Sequence, residues 1–366
     1  MDVCWRLIPA SRNSYAALYA ACEREGFILR PVSSPQGDVT CYSLNSLSLP
    51  RYLPEIRDAP CMTIVGGPHA TACHREMVKI ADYVVVGEGE FTLPALLLAI
   101  REGGKIPPGV ATGDVFSPPA SSVRLDAYPP FTTMKGYIEI SRGCPHSCTY
   151  CQTPRIFGRG MRHRSIPAIV TAARKFRDAR FVTPNALAYG SDGKTPRLEK
   201  VRALLASLRK PGQNIYLGTF PSEVRPEWVT HQALEMITTY CSNTRLHFGA
   251  QSGSDRVLSL LERGHSVEDV IRAVELTLEA GLTPVVDFIV GIPGESDEDQ
   301  AMTAELIRWT SARGQVHVHR FLPLPGTPLA GTSPRPLLPG LERMLGSLAL
   351  KGKVTGTWRN PTQRFF

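Results

Sequence analysis

Short apolar stretches alternate with helix-forming stretches along most of the chain, and this alternation constrains the fold more than any other sequence feature. Within residues 2–102, apolar stretches such as VCWRLI, DVTCYSL and CMTIVGG are separated by runs such as SYAALYAACERE. Strands that alternate with helices of about ten residues form parallel sheets covered by helices on both faces. From residue 137 the alternation restarts with six strand-like stretches, from YIEIS to QVHVHRFL. Six units predict a partial barrel rather than a closed barrel of eight units.

A stretch rich in proline, glycine and serine separates the two arrays. It contains GGKIPPGV, FSPPASS and AYPPF, and it has no helical period. Such a composition is typical of a connector between domains. The sequence therefore predicts an α/β protein with a first domain at 1–102, a linker at 103–136, a partial barrel at 137–329 and a C-terminal extension at 330–366.

Three of the nine cysteines, Cys144, Cys148 and Cys151, follow the first strand of the second array in the spacing C-x3-C-x2-C. Barrel enzymes place their active sites at this carboxyl end of the strands. A closed zinc site needs four protein ligands, whereas thiolates also suit iron–sulfur clusters. Three cysteines on four irons would leave one iron open for a small molecule. The other six cysteines are scattered in apolar stretches and are interpreted as small core residues.

The motif CPHSCTYC resembles that of the radical S-adenosylmethionine (SAM) superfamily, as do the stretches FGAQSGSDRVL, DFIVGIPGES and FLPLPGTPL. The first 102 residues, with TIVGGPHAT and ADYVVVGEGEFTLPALL, resemble the cobalamin-binding domain found upstream of many radical SAM enzymes. The resemblance implies an N-terminal Rossmann-like cobalamin-binding domain followed by a partial (β/α)6 radical SAM barrel. It also implies that Cys144, Cys148 and Cys151 ligate a [4Fe-4S] cluster whose open iron holds SAM.

The resemblance further implies a set of SAM contacts at the ends of the barrel strands. Tyr150 matches the aromatic residue near the adenine, and Gln251 and Ser252 match polar contacts to the ribose or the methionine part. Arg263 is a candidate partner of the methionine carboxylate, with a surface salt bridge as the alternative. The remaining candidates are Asn185, Tyr189 and Gly190 for the methionine amine, and Ile289, Gly291 and Pro293 for the loop behind the adenine.

For cobalamin, the resemblance places the corrin across the strand ends of the first domain. The implied contacts are Thr40, Ser43, Gly66, Gly67, Gly87, Glu88 and Gly89. The motif D-x-H-x-x-G, whose histidine binds cobalt in many cobalamin proteins, is not present, and the equivalent loop reads PASRNSYAAL. Either cobalamin binds without this histidine, or the domain is a scaffold that has lost cobalamin.

These features predict a cobalamin-dependent radical SAM methyltransferase that acts on an unactivated carbon of an unidentified small-molecule or peptide substrate. Flavodoxin or ferredoxin is the expected class of electron donor, and no catalytic residue is assigned. The alternatives are a radical SAM cyclase or rearrangement enzyme, a methylthiotransferase and a non-enzymatic carrier. A methylthiotransferase would need three further cluster cysteines in its N-terminal domain, and those between residues 4 and 73 do not show that arrangement.

The formal net charge is +8, and the basic stretch RIFGRGMRHRS follows the cysteine motif. This stretch is either a solvated face or a rim that attracts an anionic ligand. Nucleic-acid binding is not indicated, because aromatic residues do not alternate with the basic ones. The sequence has no apolar run of eighteen residues and no secretory signal at its start, which predicts a cytoplasmic protein without a membrane span.

Overall fold

The structure is a computed structural model that describes residues 1–113, 115–119 and 122–359. The chain divides into two compact units. The first comprises residues 1–138 with 155–158 and 324–326, and the second comprises the rest of the chain from residue 139 onward. Both units are α/β, and the predicted class of a Rossmann-like region followed by a partial barrel is confirmed.

The first unit is built on one sheet, which has seven strands within the described residues. The strands are β1 (Val3–Arg6), β2 (Arg30–Val32), β3 (Val39–Ser43), β4 (Met62–Gly66), β5 (Tyr83–Val85), β6 (Val110–Thr112) and β7 (Val115–Phe116). Their spatial order is β2-β1-β3-β4-β5-β6-β7, with β1 to β5 parallel. The order 2-1-3-4-5 is that of flavodoxin-like sheets, in which ligands bind outside the carboxyl ends of the strands.

Helices cover both faces of this sheet, and this explains why its central strands are apolar along their whole length. The helices are α1 (Arg12–Arg24), α2 (Leu49–Arg57), α3 (Pro68–Ala72), α4 (His74–Met77) and α5 (Gly89–Glu102). One core cluster contains Trp5 and Leu96, and a separate cluster contains Tyr42 and Ile56. All five residues of β3 are buried.

The structure differs from the predicted linker at 103–136. β6 and β7 extend the sheet antiparallel at the β5 edge, and Val110, Val123 and Leu125 are buried. The prolines that suggested a linker lie before and after these two short strands, where the missing backbone N–H takes no hydrogen bond from the sheet. This segment is therefore part of the first unit. Positions 114 and 120–121 of the predicted linker lie outside the described residues.

From residue 138 onward the strands form a second, curved array. They are β8 (Ile138–Glu139), β9 (Ser141–Arg142), β10 (Arg162–His163), β11 (Asp178–Val182), β12 (Asn214–Tyr216), β13 (Arg245–Gln251), β14 (Thr283–Val290), β15 (Gln315–Arg320) and β16 (Val354–Thr357). One sheet has the order β12-β11-β8, another has the order β13-β14-β15-β16, and β9 pairs antiparallel with β10. An isolated parallel bridge pairs Val224, in the segment that follows β12, with Phe248 of β13. The six predicted barrel strands are present.

The helices of this region are α6 (Thr153–Phe157), α7 (Ile166–Ala173), α8 (Leu198–Leu208), α9 (His231–Tyr240), α10 (Asp255–Leu260), α11 (Val267–Glu279), α12 (Asp297–Ser311) and α13 (Pro339–Leu350). α11 begins with a capping box, in which Ser266 Oγ accepts from Asp269 N at 3.2 Å and Asp269 accepts from Ser266 N at 2.9 Å. α12 begins with the same device, formed by Ser296 and Asp299. Such caps satisfy backbone N–H groups that a helix leaves without partners.

The predicted C-terminal extension at 330–366 is partly integrated into the barrel. β16 pairs in parallel with β15, and Leu341 and Leu345 of α13 are buried. The sheet therefore continues one strand beyond the predicted boundary, and residues 360–366 lie outside the described part. Among the described residues, no helix combines the length and apolar character needed to cross a membrane.

Candidate active site

The cysteine motif forms a loop directly after β9. Cys148 is buried, whereas Cys144 and Cys151 are half-buried. The backbone N–H of Thr149 donates to the carbonyl of Leu261 at 3.1 Å, just after the end of α10. The loop is therefore held from a second element of the barrel unit.

The three thiols lie in one electrostatic environment. Burial raises the pKa of Cys144, and the neighbouring Cys151 and Cys148 raise it further. The backbone N–H of His146 and the guanidinium of Arg225 oppose this rise and favour the thiolate, which is the metal-binding form. Among the described residues, no three His, Cys, Asp or Glu side chains are placed around a single ion. Three thiols on one loop are a donor set that suits an iron–sulfur cluster, in which each thiolate binds a different iron.

His146 lies inside the motif but is occupied elsewhere. Its Nε2 lies 3.2 Å from the carbonyl of Gly193, to which it donates. Burial and the charge of Arg225 lower the pKa of His146 to about 4, so the ring is neutral. His146 Nε2 is therefore engaged by the backbone of another loop.

Arg263 lies between the cysteine loop and β13. Its Nη1 is 3.9 Å from Cys148 Sγ, and its Nη2 donates to the carbonyl of Gly249 at 3.2 Å. Its Nε is buried and has no hydrogen-bond partner within the described residues. A buried guanidinium N–H without an acceptor is costly, and a ligand carboxylate would satisfy it with paired hydrogen bonds. This arrangement fits a carboxylate-binding role better than a surface salt bridge.

Gly249 and Gln251 shape the space next to Arg263. A side chain on Gly249 would lie 3.2 Å from Arg263 Nη2 and would overlap the amide of Gln251. Gln251 adopts φ 68°, in the left-handed region that non-glycine residues rarely occupy, and the register of β13 shifts at this point. Strained residues and bulges at strand ends redirect side chains and cluster at functional sites. Gln251 and Arg263 therefore lie against the same glycine.

Glu223 and Asp287 form an acidic pair next to these groups, and neither was among the predicted site residues. Asp287 lies opposite Gly249 in the register of β13 and β14, and its carboxyl group hydrogen-bonds to Glu223. Burial and then the charge of Glu223 raise the pKa of Asp287 to about 8, while Arg263 opposes the rise. Burial also raises the pKa of Glu223. Burial therefore favours a shared proton between Asp287 and Glu223 over two ionised carboxylates.

The acidic pair should make stability depend on pH. An acid whose pKa is higher in the folded than in the unfolded state stabilises the fold at low pH, and this contribution is lost as pH rises towards the folded pKa. We expect Asp287→Asn to have a higher Tm than the wild type at pH 8. The difference in Tm between the two proteins should be smaller at pH 5. The measurement is thermal denaturation at equal cluster content.

Asp269→Asn is the matched control for this experiment, because hydrogen bonds from Ser266 contribute to a lowered pKa of Asp269. It should reduce the Tm at both pH values. A Tm of Asp287→Asn at or below that of the wild type at pH 8 would show that Asp287 is not a buried protonated acid.

Tyr150 and Ile289, both predicted near the adenine, pack against one hydrophobic cluster. The buried members of this cluster are Val257, Leu261 and Ile292. The structure thus brings together an aromatic residue from the cysteine loop and an aliphatic residue from the end of β14.

Gly291 and Pro293 follow β14 in the loop that leads to α12. Gly291 has φ 78°, and a Cβ there would lie 2.8 Å from the carbonyl of Arg335. Its N–H donates to Glu295 at 3.1 Å. The loop is therefore fixed by its own neighbours, and glycine is required for its close approach to Arg335.

Other predicted SAM contacts serve the local structure. Ser252 is fully buried, and its hydroxyl lies 3.2 Å from that of Thr303. Tyr189 donates its hydroxyl to the carbonyl of Arg164 at 2.7 Å, and Gly190 donates its N–H to His163 at 3.2 Å. These three predicted contacts hold loops rather than present free polar groups.

Asn185 differs from the other residues of its loop. It is 5% exposed, and its Oδ1 accepts from Leu187 N at 3.2 Å. Its Nδ2 is buried without a hydrogen-bond partner among the described residues. A buried amide donor of this kind suits an acceptor on a ligand or an ordered water.

In the first unit, four of the predicted cobalamin contacts lie at the carboxyl ends of strands. Ser43 ends β3, Gly66 ends β4, and Gly67 and Gly87 follow β4 and β5. Gly67 has φ 92°, and a Cβ there would lie 2.8 Å from both N and O of Leu44. This small and polar edge fits a large flat ligand better than bulky side chains would.

Three other predicted cobalamin contacts are placed differently. Thr40 is completely buried in the first half of β3, where its hydroxyl donates to the carbonyl of Gln36 at 2.8 Å. Glu88 accepts from the N–H of Val123 at 2.8 Å. Gly89 begins α5, and a Cβ there would lie 2.9 Å from Leu18 Cδ2 of α1. Strand position and helix packing explain these residues without a ligand.

Comparison with known proteins matches residues 138–307 to the model of the radical SAM superfamily. This region of the chain is a radical SAM domain, and a domain of this kind implies a [4Fe-4S] cluster and SAM as cofactors. The match begins at β8 and ends within α12, so it contains the cysteine loop, Arg263 and the acidic pair.

Two curated proteins are similar to this chain. A protein of Methanocaldococcus jannaschii named "putative methylthiotransferase" is 28% identical over 248 residues, which are 62% of this chain and 52% of that protein. An uncharacterized protein of Methanopyrus kandleri is 24% identical over 330 residues, which are 74% of this chain and 62% of that protein. The chain thus spans between half and two thirds of the length of these relatives.

Two solved structures share the fold across both units. The radical SAM methyltransferase TsrM from Kitasatospora setae, with cobalamin and a [4Fe-4S] cluster bound, matches with a TM-score of 0.69 at 16% identity, over 90% of this chain and 74% of that chain. The cobalamin-dependent SAM radical enzyme OxsB matches with a TM-score of 0.64 at 14% identity, over 99% of this chain and 60% of that chain. At these identities the likeness concerns the fold.

Proposed function

We propose that this radical SAM enzyme binds cobalamin in its first unit and methylates an unactivated carbon of a small-molecule or peptide substrate. The observation that carries the proposal is the fold likeness to TsrM and OxsB, which extends over the first unit as well as the barrel. A flavodoxin or ferredoxin is the proposed class of electron donor. When bound, the cluster supplies an electron that cleaves SAM, and cobalamin supplies a methyl group.

We assign Cys144, Cys148 and Cys151 as the cluster ligands. Their loop is anchored to the barrel unit through Thr149, and Arg263 lies within 3.9 Å of the Cys148 sulfur. A guanidinium at this position stabilises the negative charge that three thiolates bring to a partly buried site. Three thiolates leave one iron of a four-iron cluster without a protein ligand.

The buried groups beside the cysteine loop match the zwitterionic methionine part of SAM. Arg263, with its unpartnered Nε, would bind the carboxylate, and the Glu223 carboxylate would bind the ammonium group. Both side chains are held in place before the ligand arrives, so little reorganisation is needed on binding. Tyr150 and Ile289 would cover the adenine through the apolar cluster in which they pack.

For cobalamin, the supporting feature is the carboxyl edge of the first sheet. Ser43, Gly66, Gly67 and Gly87 would lie under the corrin, because small residues there let a flat ring approach the backbone. The Ser46 hydroxyl and His69 Nδ1, which are 3.0 Å apart, add polar groups to this edge. Thr40, Glu88 and Gly89 are omitted from the proposed contacts for the reasons given above.

The relative from M. jannaschii favours methylthiotransfer as a second candidate function. A methylthiotransferase of the type considered above would need a second cysteine trio in its N-terminal domain. Cys4, Cys22 and Cys41 are instead buried in the core of the first unit, where burial raises the pKa of each thiol. Inert core thiols of this kind do not support a second cluster. Methylation without sulfur insertion is therefore the preferred proposal.

The deciding experiment combines cofactor loading with product analysis. Protein purified without oxygen should show the absorbance of an iron–sulfur cluster and should retain hydroxocobalamin on gel filtration. With SAM and a chemical reductant it should form deoxyadenosine, and with its substrate it should also form S-adenosylhomocysteine. Deoxyadenosine without S-adenosylhomocysteine on substrate turnover would favour cyclisation or rearrangement.

Gly66→Leu tests the cobalamin surface separately. A Cβ at Gly66 meets no atom closer than 3.5 Å, so the fold accommodates it, while the longer side chain obstructs the carboxyl edge. Hydroxocobalamin retention should fall and cluster content should not. Gly104→Leu is the control, since a Cβ at Gly104 also meets nothing closer than 3.6 Å and Gly104 follows α5, at the opposite end of that helix from Gly87. Equal retention by both variants would contradict the proposed surface.

A further inference from the structure

Arg225 is a second buried arginine, and it contacts the main chain of Arg263 in the proposed SAM site. The Arg225 side chain is 6% exposed. Its Nη2 donates to the main-chain carbonyl of Arg263, and its Nε donates to Glu227 Oε1. Arg225 is therefore fixed at one end by the Arg263 segment and at the other by a carboxylate, and it does not enter the proposed SAM contacts.

The contact with Arg263 places the charge of Arg225 close to the cysteine loop. The carbonyl that accepts from Arg225 belongs to Arg263, whose Nη1 lies 3.9 Å from Cys148 Sγ. The preceding carbonyl, that of Glu262, lies 3.7 Å from the same sulfur. Charges in a poorly hydrated interior are weakly screened, so a cation at this position also acts on any charge held by the thiolates.

Glu227 is the negatively charged partner of Arg225. Its second carboxylate oxygen, Oε2, is buried, has no hydrogen bond to the described part of the chain and lies 3.8 Å from His265 Nδ1. The other ring nitrogen of His265 donates to the carbonyl of Ala250 at 3.2 Å, and burial lowers the pKa of His265 to about 3. His265 is thus neutral, and the negative charge of Glu227 is balanced by its contact with Arg225.

We infer that the Arg225–Glu227 ion pair sets the reduction potential of the cluster held by the three cysteines, with Arg225 raising the potential and Glu227 lowering it. The inference rests on the proposed cysteine ligands. Reduction adds one negative charge to the cluster, so a fixed cation nearby favours the reduced form and a fixed anion disfavours it. Neither side chain needs to touch SAM, and both are positioning residues in this role.

The two partners of one ion pair should shift the potential in opposite directions, and this makes the inference testable. We expect Arg225→Gln to lower the midpoint potential of the full-length holoenzyme and Glu227→Gln to raise it. Arg225→Lys, which retains the charge, should lie between Arg225→Gln and the wild type. The measurement is a redox titration followed by electron paramagnetic resonance, without SAM and at equal iron content.

Arg272→Gln is the control, because Arg272 is 50% exposed and pairs with Asp269 at the start of α11. It should leave the potential unchanged. A purely structural role would move both ion-pair variants in the same direction or not at all, and either result overturns the inference. If Arg225→Gln assembles no cluster, the test rests on Glu227→Gln. An unchanged or lower midpoint potential in Glu227→Gln then overturns the inference.

The outcome is distinguishable from failure of the proposed function. A wild-type protein that assembles no cluster after anaerobic reconstitution would refute the cysteine assignment and the inference together. A wild-type protein that assembles the cluster and cleaves SAM, with variants that keep its potential, would refute the inference alone.

Discussion

Replacing Cys148 by alanine is expected to abolish cluster assembly and to reduce deoxyadenosine formation to background. Cys148 is the buried member of the trio, and its sulfur lies 3.9 Å from Arg263 Nη1. Without Cys148 only two thiolates remain, so a cluster that normally takes four ligands would have only two from the protein. The measurements are iron and sulfide content after anaerobic reconstitution, and deoxyadenosine release from SAM with a chemical reductant.

Cys241→Ala is the matched control for this loss. Cys241 belongs to the same unit but follows α9, outside the cysteine motif, and burial raises the pKa of its thiol to about 12. It should keep the cluster and the SAM cleavage of the wild type. Normal iron content and turnover in Cys148→Ala would remove the basis of the cysteine assignment.

Much of the fold could be predicted from the sequence because the strands of a covered parallel sheet are apolar along their length. VTCYS became β3 with every residue buried, and the six predicted barrel strands are all present. The segment 103–136 was misjudged for a physical reason. Proline is disfavoured within a sheet because it lacks a backbone N–H, but it can precede and follow short strands such as β6 and β7.

The site was predictable where a local motif carries the chemistry and less so where distant segments meet. The cysteine spacing marks a metal-binding loop by itself. Asp287 stands in the apolar strand PVVDFIV, and an acid there is a recognisable signal. Glu223 has no comparable signal. It lies in the segment after β12, and only the folded chain brings it to β14. Tyr189 and Ser252 matched a family pattern by position, yet their hydroxyls are engaged in local hydrogen bonds.

Replacing Arg263 by glutamine is expected to weaken SAM binding by about 10-fold to 100-fold while the cluster still assembles. A charge-assisted hydrogen bond contributes about 1.5–3 kcal/mol, and each 1.4 kcal/mol corresponds to about tenfold in affinity. Arg263→Lys should also bind SAM more weakly than the wild type, because an ammonium cannot form the paired hydrogen bonds of a guanidinium. The measurement is equilibrium binding of SAM to the oxidised, reconstituted enzyme, with Arg272→Gln as the exposed control. Wild-type affinity in Arg263→Gln would show that the unpartnered Nε does not face the SAM carboxylate. That result would also weaken the assignment of Glu223 to the ammonium group, because both rest on one binding orientation.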